Sequence, residues 1–231
     1  MDDLIIACST RRDGTMLDRS LADRHAHEVV ANRQAFCEKN AIDYERCIYQ
    51  VIAYGDTQTY DVLRAVSAPN PRGVHADVLY TETPGLGLFL PVADCIGTVI
   101  YDPQRKALAL AHIGRHASVA KTMTKTIEFF KEKGSDPADL KVWMAPSISK
   151  ENYVMQHFDH VDDPDWKDFA IQMSDGIHLD LQGFTAKLAV SAGVKAANIE
   201  ISPINTATSS EYFSHSQGDT NGRFAVIAMM K

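Results

Sequence analysis

Short apolar runs separated by polar turns make up most of this chain, and three longer stretches repeat with a helical period. Residues 4–7, 47–51, 77–81, 87–92, 97–101, 107–111, 140–144, 199–201 and 224–229 read as strands. Residues 26–40 read as a helix, with Val29, Val30, Phe36 and Cys37 on one stripe. A helix over 116–133 carries Val119, Met123, Ile127 and Phe130, and Gly134 is its stop. Asp180 is the expected N-cap of a third helix, which places Leu181, Phe184 and Leu188 inward and ends at Gly193. The run Pro69-Asn70-Pro71-Arg72-Gly73 is the strongest loop signal, and the acidic stretch 159–168 reads as a solvated surface segment. Helices interleave with strands, but several strands are consecutive. That pattern favours an α+β or layered α/β arrangement of mixed sheets, in a single domain over 1–231, rather than a doubly wound fold.

Two of these strands carry the most informative residues, Cys95 and His112. The turn between them is Asp102-Pro103-Gln104-Arg105, and Asp followed by Pro favours type I. With those four residues as the loop, Tyr101 pairs with Lys106 and Cys95 stands opposite His112. Opposed residues of an antiparallel pair share a face. A thiol beside an imidazole can ligate a metal or act as a nucleophile–base pair. Ala93, Ile96 and Val99 favour burial of the thiol, whereas Arg115 favours a positive, accessible pocket, so a thiol of intermediate reactivity is expected.

Composition narrows the classes. The chain has 231 residues, 45% hydrophobic and 23% charged, as soluble globular proteins have. A net charge of −7 argues against an extended nucleic-acid footprint but not against a small anionic substrate. Cys8, Cys37, Cys47 and Cys95 form no C-x-x-C pair, so neither a zinc finger nor a disulfide scaffold is expected. Met1-Asp2-Asp3 does not begin a signal peptide, and no apolar stretch approaches the roughly 20 residues of a membrane span, so the cytoplasm is the expected compartment.

The ordered motifs resemble one family. They are Ser9-Thr10-Arg11 with Gly14, Asn32-Arg33, Gly55-Asp56, Ala76-Asp77 through Thr81, Ala93-Asp94-Cys95 and His112-Ile113-Gly114. Pro146-Ser147-Ile148 with Tyr153, Leu179-Asp180-Leu181, Phe213-Ser214-His215 and Gly222-Arg223 complete the set. Together they resemble the laccase-domain family of YfiH type, which carries the label multicopper polyphenol oxidase and whose members have also been assigned purine nucleoside phosphorylase activity. The resemblance implies a four-layer α/β/β/α domain and one metal held by two His and one Cys.

Cys95 and His112 match two of those ligands. The third, a His in a Gln-Val-His-Gly motif, falls in Gln50-Val51-Ile52-Ala53-Tyr54-Gly55, at Tyr54 if anchored on Gly55 or at Ile52 if anchored on Gln50. Neither is His. His116 and His75 are the nearest substitutes. The family's Trp is absent after His112-Ile113-Gly114, and Ser216 stands where an Arg is expected. Zinc is therefore expected to bind weakly or not at all, and copper is a poorer fit. Arg33, Arg115 and Arg223 are the candidate substrate or anion contacts, with a scaffold role the alternative for Arg33 and Arg223 and an exposed helix start the alternative for Arg115; Asp77 or Asp56 could orient the imidazole. The implied activity is phosphorolysis of adenosine- or inosine-type nucleosides with phosphate, weakened or lost. Its rivals are a metal-free ligand- or partner-binding descendant, a hydrolase using Cys95 and His112, and a polyphenol oxidase. The last fits least, because nine scattered His provide no H-x-H pair other than His25/His27.

Overall fold

The computed structural model describes residues 3–52 and 60–231. β1 (Leu4–Cys8) and β2 (Leu17–Asp18) precede α1 (His27–Lys39). β3 (Cys47–Val51), β4 (Leu63–Ala65), β5 (Asn70–His75), β6 (Val78–Thr81), β7 (Gly87–Val92), β8 (Ile96–Asp102) and β9 (Ala107–Ile113) follow. After α2 (Arg115–Val119) and α3 (Thr122–Glu132) come β10 (Lys141–Met144), β11 (Val154–Met155), β12 (Ala170–Met173) and β13 (Gly176–Leu179). α4 (Leu181–Ser191), β14 (Ile199–Ile201) and β15 (Gly222–Met230) complete the chain.

Two six-stranded mixed sheets lie face to face. One runs β1-β15-β7-β3-β5, with β2 on β15; the other runs β14-β10-β8-β9-β6-β4. Leu88, Leu90, Val92, Phe224 and Val226 from the first sheet meet Leu79, Val99, Leu108 and Leu110 from the second. On the outer face of the first sheet, Phe36 and Cys37 of α1 pack on Tyr49, Phe89 and Ile227. On the outer face of the second, Met123, Ile127 and Phe130 of α3 and Phe184 and Leu188 of α4 cover Ile96, Ile100, Ala109 and Ala111. The layers are helix, sheet, sheet, helix, as the resemblance implied. β8 and β9 are covered on both faces, which is why their sequences read as continuous apolar runs.

Three sequence expectations change. The 116–133 helix is two helices, because Lys121 between them takes a left-handed conformation (φ 56°). The 69–73 loop is mostly the edge strand β5, parallel to β3, where Pro71 removes no interior ladder bond. The acidic segment is irregular, yet its Trp166 is buried, as is Phe158 just before it. Trp166 stacks on Phe184 at 3.9 Å.

The β8–β9 register is also displaced by two. Asp102 pairs with Ala107 and Gly97 with His112, because Asp102 Oδ1 accepts from the amides of Gln104 and Arg105 and Lys106 turns left-handed (φ 54°). Continuing that register sets Cys95 against Gly114 rather than His112. A shift of two conserves the face, so the two side chains still meet.

Candidate functional site

The carboxyl ends of β3, β5, β7 and β9 and the starts of β8 and β15 come together at one end of the two sheets. Between β7 and β8 the chain turns through Asp94, a non-glycine residue at φ 68°. This left-handed residue is held by its own side chain. The Asp94 carboxylate accepts from Thr206 Oγ1 (2.8 Å), Ser214 Oγ (2.7 Å) and the Ser216 amide (2.8 Å). Those bonds strap the chain carrying His215 across the corner. Arg11 tightens the strap: it donates to the Tyr212 carbonyl and pairs with Asp219, which in turn accepts from the Ser214 amide.

Cys95 follows Asp94, and its thiol meets the His112 ring over Gly114. A Cβ on Gly114 would lie 2.9 Å from Cys95 Sγ and 3.7 Å from His112 Nε2. Sγ and Nε2 are therefore no further apart than the sum of those distances, inside the roughly 8 Å beyond which neither a shared ligand nor a dyad is feasible. Only a residue without Cβ leaves the thiol where it is. Burial pushes the Cys95 thiol up to about 12, with Asp94 adding to the effect and Arg223 opposing it. Burial pushes His112 down to about 4, with His116 contributing. At neutral pH these shifts favour a thiol beside a neutral imidazole over a thiolate–imidazolium pair.

Asp77, at the start of β6, brings Oδ1 to 4.0 Å from His112 Nδ1, while its Oδ2 accepts from the Val62 amide at 3.1 Å. The His112 amide donates to the Asp77 carbonyl (2.8 Å), as does Gln50 Nε2 (2.7 Å), which ties the first sheet to the second beneath the site. Burial raises the Asp77 carboxyl to about 6.

Cys95 and His112 open into a cavity of about 250 Å³ whose wall includes Arg19, Arg115, Arg223 and Tyr153, with Tyr60, His116 and His215. No carboxylate lines it among the described residues. Arg115 hydrogen-bonds the Tyr153 phenol, yet burial still drives that phenol up to about 12. Arg223 is buried, and its Nη1 donates to the carbonyl of Gly222 at 2.6 Å. Of the sequence candidates, Arg115 and Arg223 thus join Cys95 and His112. Arg33 does not: it is fully buried, bonded to the Met16 and Arg24 carbonyls and lying 4.1 Å from the Tyr49 ring centre. His116 stacks on Tyr60 at 4.5 Å. His75 lies in an adjoining cavity. Tyr54, Gly55 and Asp56 lie outside the described residues. Arg19 and Tyr60 were not read from the sequence, since neither sits in a motif with ligand spacing. Nothing in the flanking residues marks them as pocket-lining.

The described residues supply two donors for a zinc, not three. All nine His and four Cys are described residues, yet no three of His, Cys, Asp or Glu come together there to hold a metal. Cys95 and His112 are two donors; a third from the undescribed 53–59 segment would have to be an oxygen, from Tyr54 or Asp56 for example. No helix among the described residues is long and apolar enough to cross a membrane.

A sequence profile described as multi-copper polyphenol oxidoreductase laccase matches residues 10–231. A purine nucleoside phosphorylase of Streptomyces coelicolor is 26% identical over 208 residues, spanning 85% of this chain and 80% of the relative. Purine nucleoside phosphorylase YlmD of Bacillus subtilis is 26% identical over 225 residues, spanning 89% and 80%. Among solved structures, the hypothetical protein YfiH of Bacillus licheniformis superposes with a TM-score of 0.83 at 23% identity, covering 100% of this chain and 94% of that one. YlmD from Geobacillus stearothermophilus gives 0.83 at 23%, covering 99% and 92%. The structural likeness carries the fold, the profile match runs from the loop after β1 to the last residue, and the chain belongs to the multi-copper polyphenol oxidoreductase laccase family.

Proposed function

We propose that the Cys95–His112 cavity binds a purine nucleoside and phosphate and carries out phosphorolysis. One observation carries the reading. In a chain of net charge −7, the cavity wall holds Arg19, Arg115 and Arg223 and, among the described residues, no acid. Such a wall favours a phosphate dianion over any cationic ligand. The names of the Streptomyces and Bacillus relatives support the same reaction.

In that reaction a phosphate oxygen forms the bond to C1′ as the C1′–N9 bond breaks, and the bonding pair leaves with the base. The arginines hold the nucleophile and offset the charge brought in with it. The base departs with negative charge, and the Tyr153 phenol, protonated at neutral pH, is a donor for it. The neutral His112 ring can accept or pass a proton at Nε2, with Asp77 beside Nδ1. No step is routed through a metal, since the described donors number two; zinc is expected to be weak or substoichiometric.

A second reading, a binding protein without turnover, draws on the non-His residues at the third-ligand position and on the neutral Cys95–His112 pair. The Cys-dependent hydrolase reading loses support, because a thiol pushed up to about 12 is a poor nucleophile. Purified protein incubated with inosine or adenosine, with and without phosphate, tests the proposal. Phosphate-dependent release of the free base and ribose 1-phosphate supports it, and binding without release selects the second reading.

A further inference from the structure

Cys37 and Cys47 take no part in the cavity around Cys95, yet the fold places them side by side. Both are fully buried between α1 and the outer face of the first sheet, in a cluster with Phe36, Ile42, Tyr49 and Phe89. The chain from one to the other turns back on itself. Ala41 takes a left-handed conformation (φ 57°). The Ala41 amide donates to the Glu38 carbonyl and the Ile42 amide to the Cys37 carbonyl, each at 2.9 Å. This is a Schellman ending, and it lays Ile42 against the last turn of α1. Asp43 then caps a short turn over Tyr44–Arg46, its Oδ1 accepting from the Glu45 amide at 2.9 Å, and β3 opens with Cys47.

Three contacts set the Cys47 sulfur. The thiol donates to the Asp43 carbonyl at 3.5 Å. On the neighbouring strand β7 Gly87 stands opposite, and a Cβ there would lie 2.7 Å from Sγ, so the sulfur fills the room that a side chain would need. The Cys47 and Cys37 thiols share a hydrogen bond. That bond and burial push the Cys47 thiol far above its ordinary range, with Asp43 and Glu45 adding to the effect. Cys8 and Cys95 lie outside this cluster.

We infer that Cys37 and Cys47 are a dithiol site that closes to an intramolecular disulfide by exchange with a low-molecular-weight disulfide such as oxidised glutathione, cross-linking the end of α1 to the start of β3. One protein thiolate attacks the small disulfide, forms a mixed disulfide and expels one small thiolate. The second protein thiolate attacks the protein sulfur of that intermediate, and the other small thiolate leaves. The protein loses two hydrogens and two electrons, and the small disulfide takes them up and becomes two thiols. Both sulfurs are sealed in the folded state, so the first attack waits on opening of the corner between α1 and β3. The two cysteines are close in sequence, so the loop to be closed is short and the pair meets readily once the corner opens. The same burial then shields the finished bond from reductant. The inference draws nothing from the phosphorolysis reading, and neither stands or falls with the other.

The intact protein is incubated with oxidised glutathione at mildly alkaline pH, in buffer and in urea below the unfolding midpoint. It is then denatured, trapped with iodoacetamide and mapped by mass spectrometry without reduction. The expected product is one peptide pair joined through Cys37 and Cys47, two hydrogens lighter than the thiol form, made about tenfold or more faster in urea than in buffer. Refolding from full denaturation in oxidised glutathione is expected to give the same link, in a protein with native circular dichroism and a higher Tm than the reduced form. Recovery of both cysteines after that refolding as iodoacetamide adducts, or as separate glutathione adducts, overturns the inference. So does a link from either one to Cys8 or Cys95, or a linked form that unfolds at a lower temperature than the reduced protein.

Discussion

Replacing Asp77 by Asn removes a buried charge without removing its hydrogen bond, since an amide oxygen can still accept from the Val62 amide at the same 3.1 Å. Burial raises the Asp77 carboxyl from 3.8 to about 6 in the folded protein. The stability this carboxyl contributes is therefore greatest below pH 3.8 and is lost as pH rises through 6. The gap between the two values corresponds to about 3 kcal/mol, an upper bound because it takes the whole shift as folding energy. Asp77→Asn does not titrate, so it should gain on the wild type by up to about 3 kcal/mol above pH 7 and by nothing near pH 4. For a chain of this length that is a rise in Tm of up to roughly 6–12 °C. His112 titrates in the same range with the opposite sense: its pKa is lowered, so its contribution is present above 6.5 and lost as pH falls through about 4. It is present in both proteins and cancels in the difference to the extent that the substitution leaves its surroundings unchanged. Urea unfolding followed by circular dichroism at half-unit steps from pH 4 to 8 measures that difference. A pH-independent gap, or a variant less stable than wild type at pH 8, would refute the assignment of Asp77 as a desolvated carboxyl.

Three further outcomes follow from the site. Gly114→Ala should cost about 1–3 kcal/mol, because the added Cβ sits 2.9 Å from Cys95 Sγ; combining it with Cys95→Ala should recover most of that loss in thermal unfolding, and an additive double variant would contradict the contact. Maleimide labelling of Cys95 should be slow at pH 7 and should show the same pH profile in His112→Ala, since burial and not the imidazole sets the thiol; an inflection near neutrality that His112→Ala abolishes would restore the dyad. Zinc measured by atomic absorption should be substoichiometric in the isolated protein, and Tyr54→His should raise its affinity, whereas one tightly held zinc per wild-type chain would reject the two-donor account.

Much of the architecture was legible because its signals are local. β3, β7 and β14 fall on the predicted bounds, since each is a run of apolar residues bounded by polar or turn residues. The Asp180 cap of α4 was legible for the same reason, with its side chain accepting from the Gly183 amide at 2.7 Å. β5 was hidden by Pro71, because an edge position and not composition makes proline tolerable there. The break between α2 and α3 was hidden too, because Lys121 carries no sequence mark of a left-handed residue. At the site, Cys95 and His112 were found by strand alternation, which survives a two-residue error in register. Arg19 could not be found that way. It reaches the cavity from the chain between β2 and α1, whose path depends on Arg33 packed beneath it. Arg33 was left between a scaffold and an anion role for a related reason: a guanidinium bonded to backbone carbonyls looks, in sequence, like one awaiting an anion.

The central claim is that the cavity joining Cys95 and His112 splits purine nucleosides with phosphate. Its most direct test is the rate of hypoxanthine release from inosine at neutral pH, measured by chromatography with and without inorganic phosphate, in the wild type and in His112→Ala and Arg115→Gln. Release that requires phosphate, yields ribose 1-phosphate and falls in both variants is the result expected. Release equally fast without phosphate, or no release from any purine nucleoside by a protein that binds them, would contradict it.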